Sequence, residues 1–264
     1  MSIERMHARP RLDLECASCK ARHLGLCQSC SEEIPQVVAS CKVGERRFHA
    51  GESIFDLGDP CREVYTIIDG WAFLFALRPD GGRQVLHYAM TGDFIGYHPG
   101  HDAMITYGAQ VLTDATVCVM SRAALESVSQ KHPEVGLRLA WLMTRNLTLS
   151  YDHLTSIARQ NARERIAHLL LQLYVRRRTR WPEMRGDLVE LPLTQELIAD
   201  TLGLTPVHVN RMLAALRKEG VLHFKLGRLR VLDPDKLVAI AGLDDDVVSN
   251  WIEQQTPPRR PHAT

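Results

Sequence analysis

Residues 194–220, TQELIADTLGLTPVHVNRMLAALRKEG, constrain the fold more tightly than any other stretch of the chain. Ile198, Ala199 and Leu202 fall on one face of a first helix. Gly203 follows Ala199 by four residues. A tight turn between crossing helices needs a residue there that has no side chain or tolerates a positive φ. Thr205 is a natural N-cap and Pro206 a natural first helical residue, since a helix leaves its first N–H groups unbonded anyway. Val209, Met212, Leu213 and Leu216 then form the buried stripe of a second helix. An ordinary helical hairpin has no need of glycine, cap and proline in this register, so the segment reads as a helix-turn-helix.

Val207, His208, Asn210, Arg211 and Lys218 are left facing outward. The early residues of such a second helix reach base edges in the major groove of double-stranded DNA. Arg211 can donate two hydrogen bonds to guanine, and Asn210 can pair with adenine. Thr194, Thr205, Lys218 and Arg228 suit phosphate contacts, which position a protein without reading sequence. VLHFKLGRLRVL (221–232) reads as two short strands around Gly227, a basic wing. Between Arg159 and Leu232 there are 14 Lys and Arg against 7 Asp and Glu, on a chain whose formal charge is only +1. A solvated basic face would explain the charge alone; the helix-turn-helix beside it points to nucleic acid.

Upstream, the hydrophobic period changes twice. From about Val43 to Arg122 short β-type runs, VYTIIDG (64–70), WAFLFAL (71–77) and RQVLHYAM (83–90), are punctuated by glycine, with Pro79-Asp80-Gly81-Gly82 as a turn. Their length and spacing predict an antiparallel barrel or jelly roll. From Pro133 to about Ala158 the period is helical. Leu137, Ala140, Thr144, Leu147, Tyr151, Leu154 and Ala158 alternate by three and four, the seam of a coiled coil, while Leu139, Leu142 and Leu149 form a second apolar stripe. A helix with two such faces can pack on its own domain and on a second copy of itself, although Thr144 and Tyr151 make the seam imperfect. A further helix over about 162–175 leads to the basic run RRRTR (176–180).

Seven cysteines stand at 16, 19, 27, 30, 41, 61 and 118, four of them within fifteen residues. The opening, MSIERMHARPRLDLE, is charged throughout, and no apolar run approaches the roughly 18 residues of a membrane span. A soluble, cytoplasmic protein is expected. A disulfide framework is then disfavoured, and metal or thiol-redox chemistry is the better reading of the cluster. Enzyme readings fail for lack of parts, since there is no phosphate-cradling glycine motif, G-x-S-x-G or H-E-x-x-H.

FHAGESIFDLGDPCREVYTIIDGWAFL (48–74), then TGDFIG (91–96), then a long helix and a winged helix-turn-helix, together resemble the CRP/FNR family of bacterial transcription regulators over about residues 16–242. The resemblance implies a homodimer on a two-fold operator, with RNA polymerase as a further partner. Its cyclic-AMP branch holds the nucleotide with a Glu and an Arg-Ser pair. Here Tyr97 and His98 stand near the expected Glu and no Arg lies between Gly92 and Thr116, which disfavours cyclic AMP. Cys16-x2-Cys19-x7-Cys27 with the distant Cys118 instead resembles the FNR and FnrN-type oxygen sensors. Four such thiolates hold a [4Fe–4S] cluster there. A tetrahedral zinc on Cys16, Cys19, Cys27 and Cys30 and a thiol-redox loop stay as alternatives. Cys41 and Cys61 read as structural.

Two departures bear on function. Where oxygen-sensing relatives carry Glu and Ser in the reading helix this chain has Val207 and Asn210, and Arg211 alone is kept. Val207 cannot accept a hydrogen bond from cytosine, so a different operator is expected. Ser150 stands where some members have a seam aspartate that keeps the cluster-free form monomeric. The expected fold is therefore α+β. It comprises a cysteine-rich segment (1–41), a cyclic-nucleotide-binding-like antiparallel jelly roll (42–131), a dimerisation helix (132–160), a winged helix-turn-helix (161–243) and a disordered tail (244–264). The expected activity is oxygen-responsive control of DNA binding, with nitric oxide as a second signal.

Overall fold

The computed structural model describes residues 16–28, 34–98, 100, 104–180 and 188–253. The chain forms two compact units, one of residues 1–74 with 88–142, the other of 75–87 with 143–264.

A short helix, α1 (Ile34–Ala39), leads into eight strands, all in the first unit but for the parts within residues 75–87. These are β1 (Lys42–Phe48), β2 (Ser53–Phe55), β3 (Glu63–Asp69), β4 (Trp71–Leu77), β5 (Arg83–Met90), β6 (Phe94–Ile95), β7 (Gly108–Val111) and β8 (Ala115–Ser121). They make two four-stranded sheets in the orders β1-β8-β3-β6 and β2-β7-β4-β5, and paired strands come from distant parts of the chain as in the expected jelly roll. Side chains alternate across a strand, and the consequence is plain on the two central strands. Tyr65 and Ile67 of β3 and Val117 and Val119 of β8 enter the core between the sheets, with Phe48, Ile54, Phe55 and Val111. Thr66, Ile68, Cys118 and Met120 face the opposite way. β3 reads as a continuous apolar run because both its faces are covered.

Ser121 caps α2 (Arg122–Lys131), its hydroxyl accepting from the Ala124 N–H at 3.3 Å. Then comes α3 (Pro133–Arg159). Leu142 and Leu149 are buried on one stripe of α3. The expected seam lies on the other, with Leu137 72%, Leu147 48%, Tyr151 59% and Leu154 63% exposed in the single chain.

The second unit contains α4 (Ala162–Arg180), β9 (Leu188–Glu190), α5 (Gln195–Leu202), α6 (Pro206–Lys218), β10 (Leu222–Lys225), β11 (Arg228–Val231), α7 (Pro234–Ile240) and α8 (Asp245–Glu253). Its three strands run β10-β11-β9, all antiparallel. Ile166, Leu170, Ile198, Leu202, Val209, Leu216 and Leu229 are fully buried together with Leu237.

Three expectations need correction. The helix predicted over 162–175 runs on to Arg180, so the RRRTR run is helical, and Arg176 and Arg180 are buried rather than part of an open basic surface. Long arginine stems can lie along apolar surface, which composition does not reveal. The wing gains a third strand, β9, paired with β11. The tail is not wholly irregular: residues 245–253 form α8, with Trp251 1% exposed and its indole N–H donating to Asp152 at 2.8 Å. A disordered tail is expected from 244 on, yet acidic residues at a helix start are favoured by the helix dipole. One buried tryptophan then supplies the apolar area. Residues 254–264 lie outside the described ones. Among the described residues no helix is long and apolar enough to cross a membrane.

Candidate DNA-binding face and cysteine cavity

The helix-turn-helix is built from local chemistry. The Thr194 hydroxyl accepts from the Leu197 N–H at 3.1 Å and starts α5. The Thr205 hydroxyl accepts from the His208 N–H at 3.3 Å and starts α6, with Pro206 in its first turn. Gly203 has φ 64° and ψ 39°, and a Cβ added there would meet no atom within 4 Å. Of the two reasons for a glycine, it is the left-handed backbone that requires it, not a close approach.

Val207 is 80% exposed, and Asn210, Arg211, Lys218 and Arg228 are exposed as well. Thr194 and Thr205 are exposed at their caps. His208, expected to face outward, is only half-exposed, and Met212, expected in the buried stripe, is half-buried. A stripe assigned by spacing alone is blurred at its edges, where a side chain shares both environments. The wing hairpin turns at Leu226 and Gly227, both with positive φ (51° and 70°), as a two-residue hairpin needs. Leu226 at its tip is 89% exposed. Arg217, Lys225 and Arg230 are exposed and basic too, and the sequence reading passed over them. Strand pairing sets Lys225 opposite Arg228 and His223 opposite Arg230, which no spacing rule would find.

The second feature is a cavity lined by Cys16, Cys19, Cys27 and Cys118. Three come from the loop before α1, where Cys16 and Cys27 sit in short 3₁₀ turns. Cys118 reaches it because strand alternation turns its side chain to the face opposite Val117 and Val119. In the pleat its neighbours are Glu45 of β1 and Thr66 of β3, and both also line the cavity.

The loop is held at several points. Ala21 and Leu26 are buried. A Cβ on Gly25 would lie 1.8 Å from the Gly92 carbonyl oxygen, so the loop backbone crosses the TGDFIG turn at a separation that excludes any side chain. Lys20 pairs with Asp69. Arg22 donates to the Cys16 carbonyl at 3.2 Å. From α3, the Arg138 Nε donates to the Gly25 carbonyl and its Nη2 to the Gln28 side-chain oxygen, each at 2.9 Å.

Burial pushes the Cys27 and Cys118 thiols up to about 12, and the other cysteines of the set, each thiol facing the others, push the same way. Burial raises Cys19 too. Such thiols stay protonated unless a positive charge arrives among them, and a coordinating metal supplies one. Lys42 donates to Glu45 Oε1 at 2.7 Å inside this cavity. Glu45 is 1% exposed, and its Oε2 has no hydrogen-bond partner among the described residues. Arg22, Lys42, Glu45 and Arg138 all escaped the sequence reading, because only the sheet register and the loop path bring them to the cysteines.

Among the described residues no three His, Cys, Asp or Glu side chains cluster tightly enough for a single metal ion. Cys30, needed by the zinc alternative, lies outside the described residues. Cys41 and Cys61 are buried, the Cys61 thiol donating to the Gly96 carbonyl at 3.1 Å. Inside the jelly roll, Phe55 stacks on Tyr65 with ring centres 5.5 Å apart, and His98 lies 4.8 Å from the Tyr107 ring. Arg122, which follows the 92–116 stretch, reaches back to it by donating to the Gly100 carbonyl at 2.6 Å and is itself paired with Glu126 at 2.7 Å. Tyr97 donates to the same Glu126 at 3.3 Å.

Residues 45–132 match the cyclic nucleotide-binding domain and residues 164–240 the Crp-like helix-turn-helix domain. The chain is 32% identical over 245 residues to the transcriptional activator protein FnrL of Cereibacter sphaeroides, covering 91% of this chain and 97% of that protein. It is 30% identical over 229 residues to the nitrogen fixation regulation protein FixK of Bradyrhizobium diazoefficiens, covering 86% and 93%. Among solved structures, FixK2 from Bradyrhizobium japonicum is similar with a TM-score of 0.66 at 25% identity, over 74% of this chain and 96% of that one.

Proposed function

Because the chain belongs to the CRP/FNR family of transcription regulators, we propose that it is an oxygen-responsive member whose operator binding is controlled by a [4Fe–4S] cluster on Cys16, Cys19, Cys27 and Cys118. Nitric oxide is a second candidate signal. The observation that carries this reading is the convergence of three loop sulfurs and one sheet sulfur on a single cavity. The donor set fits the group, since a cubane cluster takes one thiolate at each iron and needs its ligands arranged around a space. Bound there, the cluster supplies an oxygen-labile tie between the loop and β8. Lys42 and Arg22 set positive charge beside the thiolates, and Leu26 and Gly25 hold the Cys27 turn against the sheet.

The remaining residues carry the consequence outward. β8 runs directly into α2, and α2 into α3, whose exposed apolar row suits a second copy of the chain. In that cytoplasmic homodimer two copies of α6 face a two-fold operator. Arg211 and Asn210 read bases, with Thr194, Thr205, Lys218 and Arg228 on phosphates and His208 beside them. RNA polymerase is the further partner. Val207 offers no acceptor to a cytosine, so its base position is read by shape or left unread.

Protein purified without air tests the cofactor by its visible absorption and its iron and acid-labile sulfide content, before and after oxygen. The expected result is a broad brown charge-transfer band that bleaches in air, with near-equal iron and sulfide. Colourless protein containing zinc or no metal would overturn the oxygen-sensing mechanism and leave the DNA-binding fold untouched.

A further inference from the structure

We infer that Arg138 is a positioning residue that ties the Cys27 turn to the dimer-forming face of α3. The inference rests on the cluster reading above. Arg138 donates on both sides of Cys27, to the carbonyl of Gly25 and to the side chain of Gln28, each at 2.9 Å. Its guanidinium also lies over the Trp141 ring, 4.2 Å from the centre. A guanidinium held over an aromatic ring loses little further freedom in making both bonds, and a lysine cannot reproduce the pair.

The turn is confined from the other side as well. The contact between the Gly25 and Gly92 backbones leaves no room for the turn to sink toward the sheet. Leu26, between Gly25 and Cys27, is fully buried. A shift of Cys27 is therefore transmitted to the Arg138 bonds rather than absorbed beneath it. Leu137, the residue before Arg138, is 72% exposed and begins the apolar row of α3. Arg138 thus joins the ligand turn to the residue at which the dimer seam starts, and both ends lie in the same compact unit. With Cys27 held by the cluster the two bonds persist and the start of α3 keeps one position; with Cys27 released, the pull on Arg138 changes and the seam loses that register.

The test compares full-length wild type with Arg138→Gln, Arg138→Lys and Gln28→Ala, each loaded anaerobically and each stripped with a chelator. Iron, sulfide and the visible spectrum report loading, and sedimentation gives the dimer dissociation constant in both states. Loaded wild type is expected to dimerise more tightly than stripped. In Arg138→Gln the cluster still assembles, but the ratio between the two states falls by about five-fold or more, the lower end of ordinary allosteric couplings. Arg138→Lys restores part of the ratio. Gln28→Ala, which leaves α3 untouched and removes one of the two bonds, lowers it less, and it decides the matter if Arg138→Gln fails to load. An unchanged ratio in both the Arg138→Gln and Gln28→Ala variants, or equal weakening of both states, overturns the inference. So does a loaded wild type that dimerises no better than the stripped form. Wild type without iron and sulfide overturns the cluster reading itself, and the inference with it.

Discussion

At the scale of single residues, the two halves of the proposed function rest on side chains that the chain presents in opposite ways. Arg211 is exposed on α6, so its replacement should leave the fold intact. Arg211→Ala is expected to cost about 1–3 kcal/mol of operator binding and to relax specificity at one base pair. Binding measured on a set of single-base operator variants checks this; uniform weakening across the set would move Arg211 to the phosphate group. Cys118, by contrast, is inside the cavity. Cys118→Ala should abolish retention of iron after anaerobic loading while Cys41→Ala, at a buried position that does not line the cavity, should not. Equal iron in the two variants removes Cys118 from the ligands. Cys118 was singled out by the family pattern alone, and strand alternation turns it to the face opposite Val117 and Val119. Glu45 and Thr66 beside it were not singled out, because a residue's cross-strand neighbours depend on register and not on its own sequence context.

At the scale of elements, local signals were read well. Thr194, Gly203, Thr205 and Pro206 each sit where their chemistry requires, since caps, left-handed turns and first-turn prolines are short-range effects. Gly203→Ala should destabilise the protein by about 1 kcal/mol through backbone strain alone, because the space around it is open. Denaturant midpoints at constant m-value check this. The exposed row on α3 gives a different kind of expectation. Leu154 is 63% exposed in one chain, so Leu154→Glu should leave the thermal midpoint of a diluted sample nearly unchanged and shift sedimentation toward the monomer. Among the elements that escaped reading, β9 and α8 are short and take their stability from partners distant in sequence. Among the described residues β9 pairs with β11 alone, and α8 is held by Trp251 against Asp152.

At the scale of the whole molecule, folding removes ionisable groups from water that sequence leaves undistinguished. His168 is buried beside Trp251 and His153, and burial first, then the His153 charge, pulls its pKa down to about 4. The unfolded chain holds it near 6.5. Between those values the unfolded state binds a proton that the folded state refuses. Stability is therefore complete above about pH 6.5 and is lost as pH falls toward 4, by about 3 kcal/mol. Burial lowers His153 in the same direction. Denaturation of wild type and His168→Leu from pH 4 to 7 checks this, and the stability difference between them should shift toward the variant as pH falls. A difference that stays constant removes His168 from the acid response.

The sequence by itself determined the order of parts, the helix-turn-helix with its caps, the two-faced helix and the cysteine spacing. Those follow from periodicity and short-range backbone chemistry, which survive without knowledge of neighbours. Tertiary structure alone decided which side chains meet. It brought Cys118 to the loop cysteines, set Lys42 and Glu45 on the wall of the same cavity, hid Arg176 and Arg180, and joined Arg138 to Gly25 and Gln28. Contacts of that kind depend on sheet register and chain path, and these are settled only when the buried faces pack together.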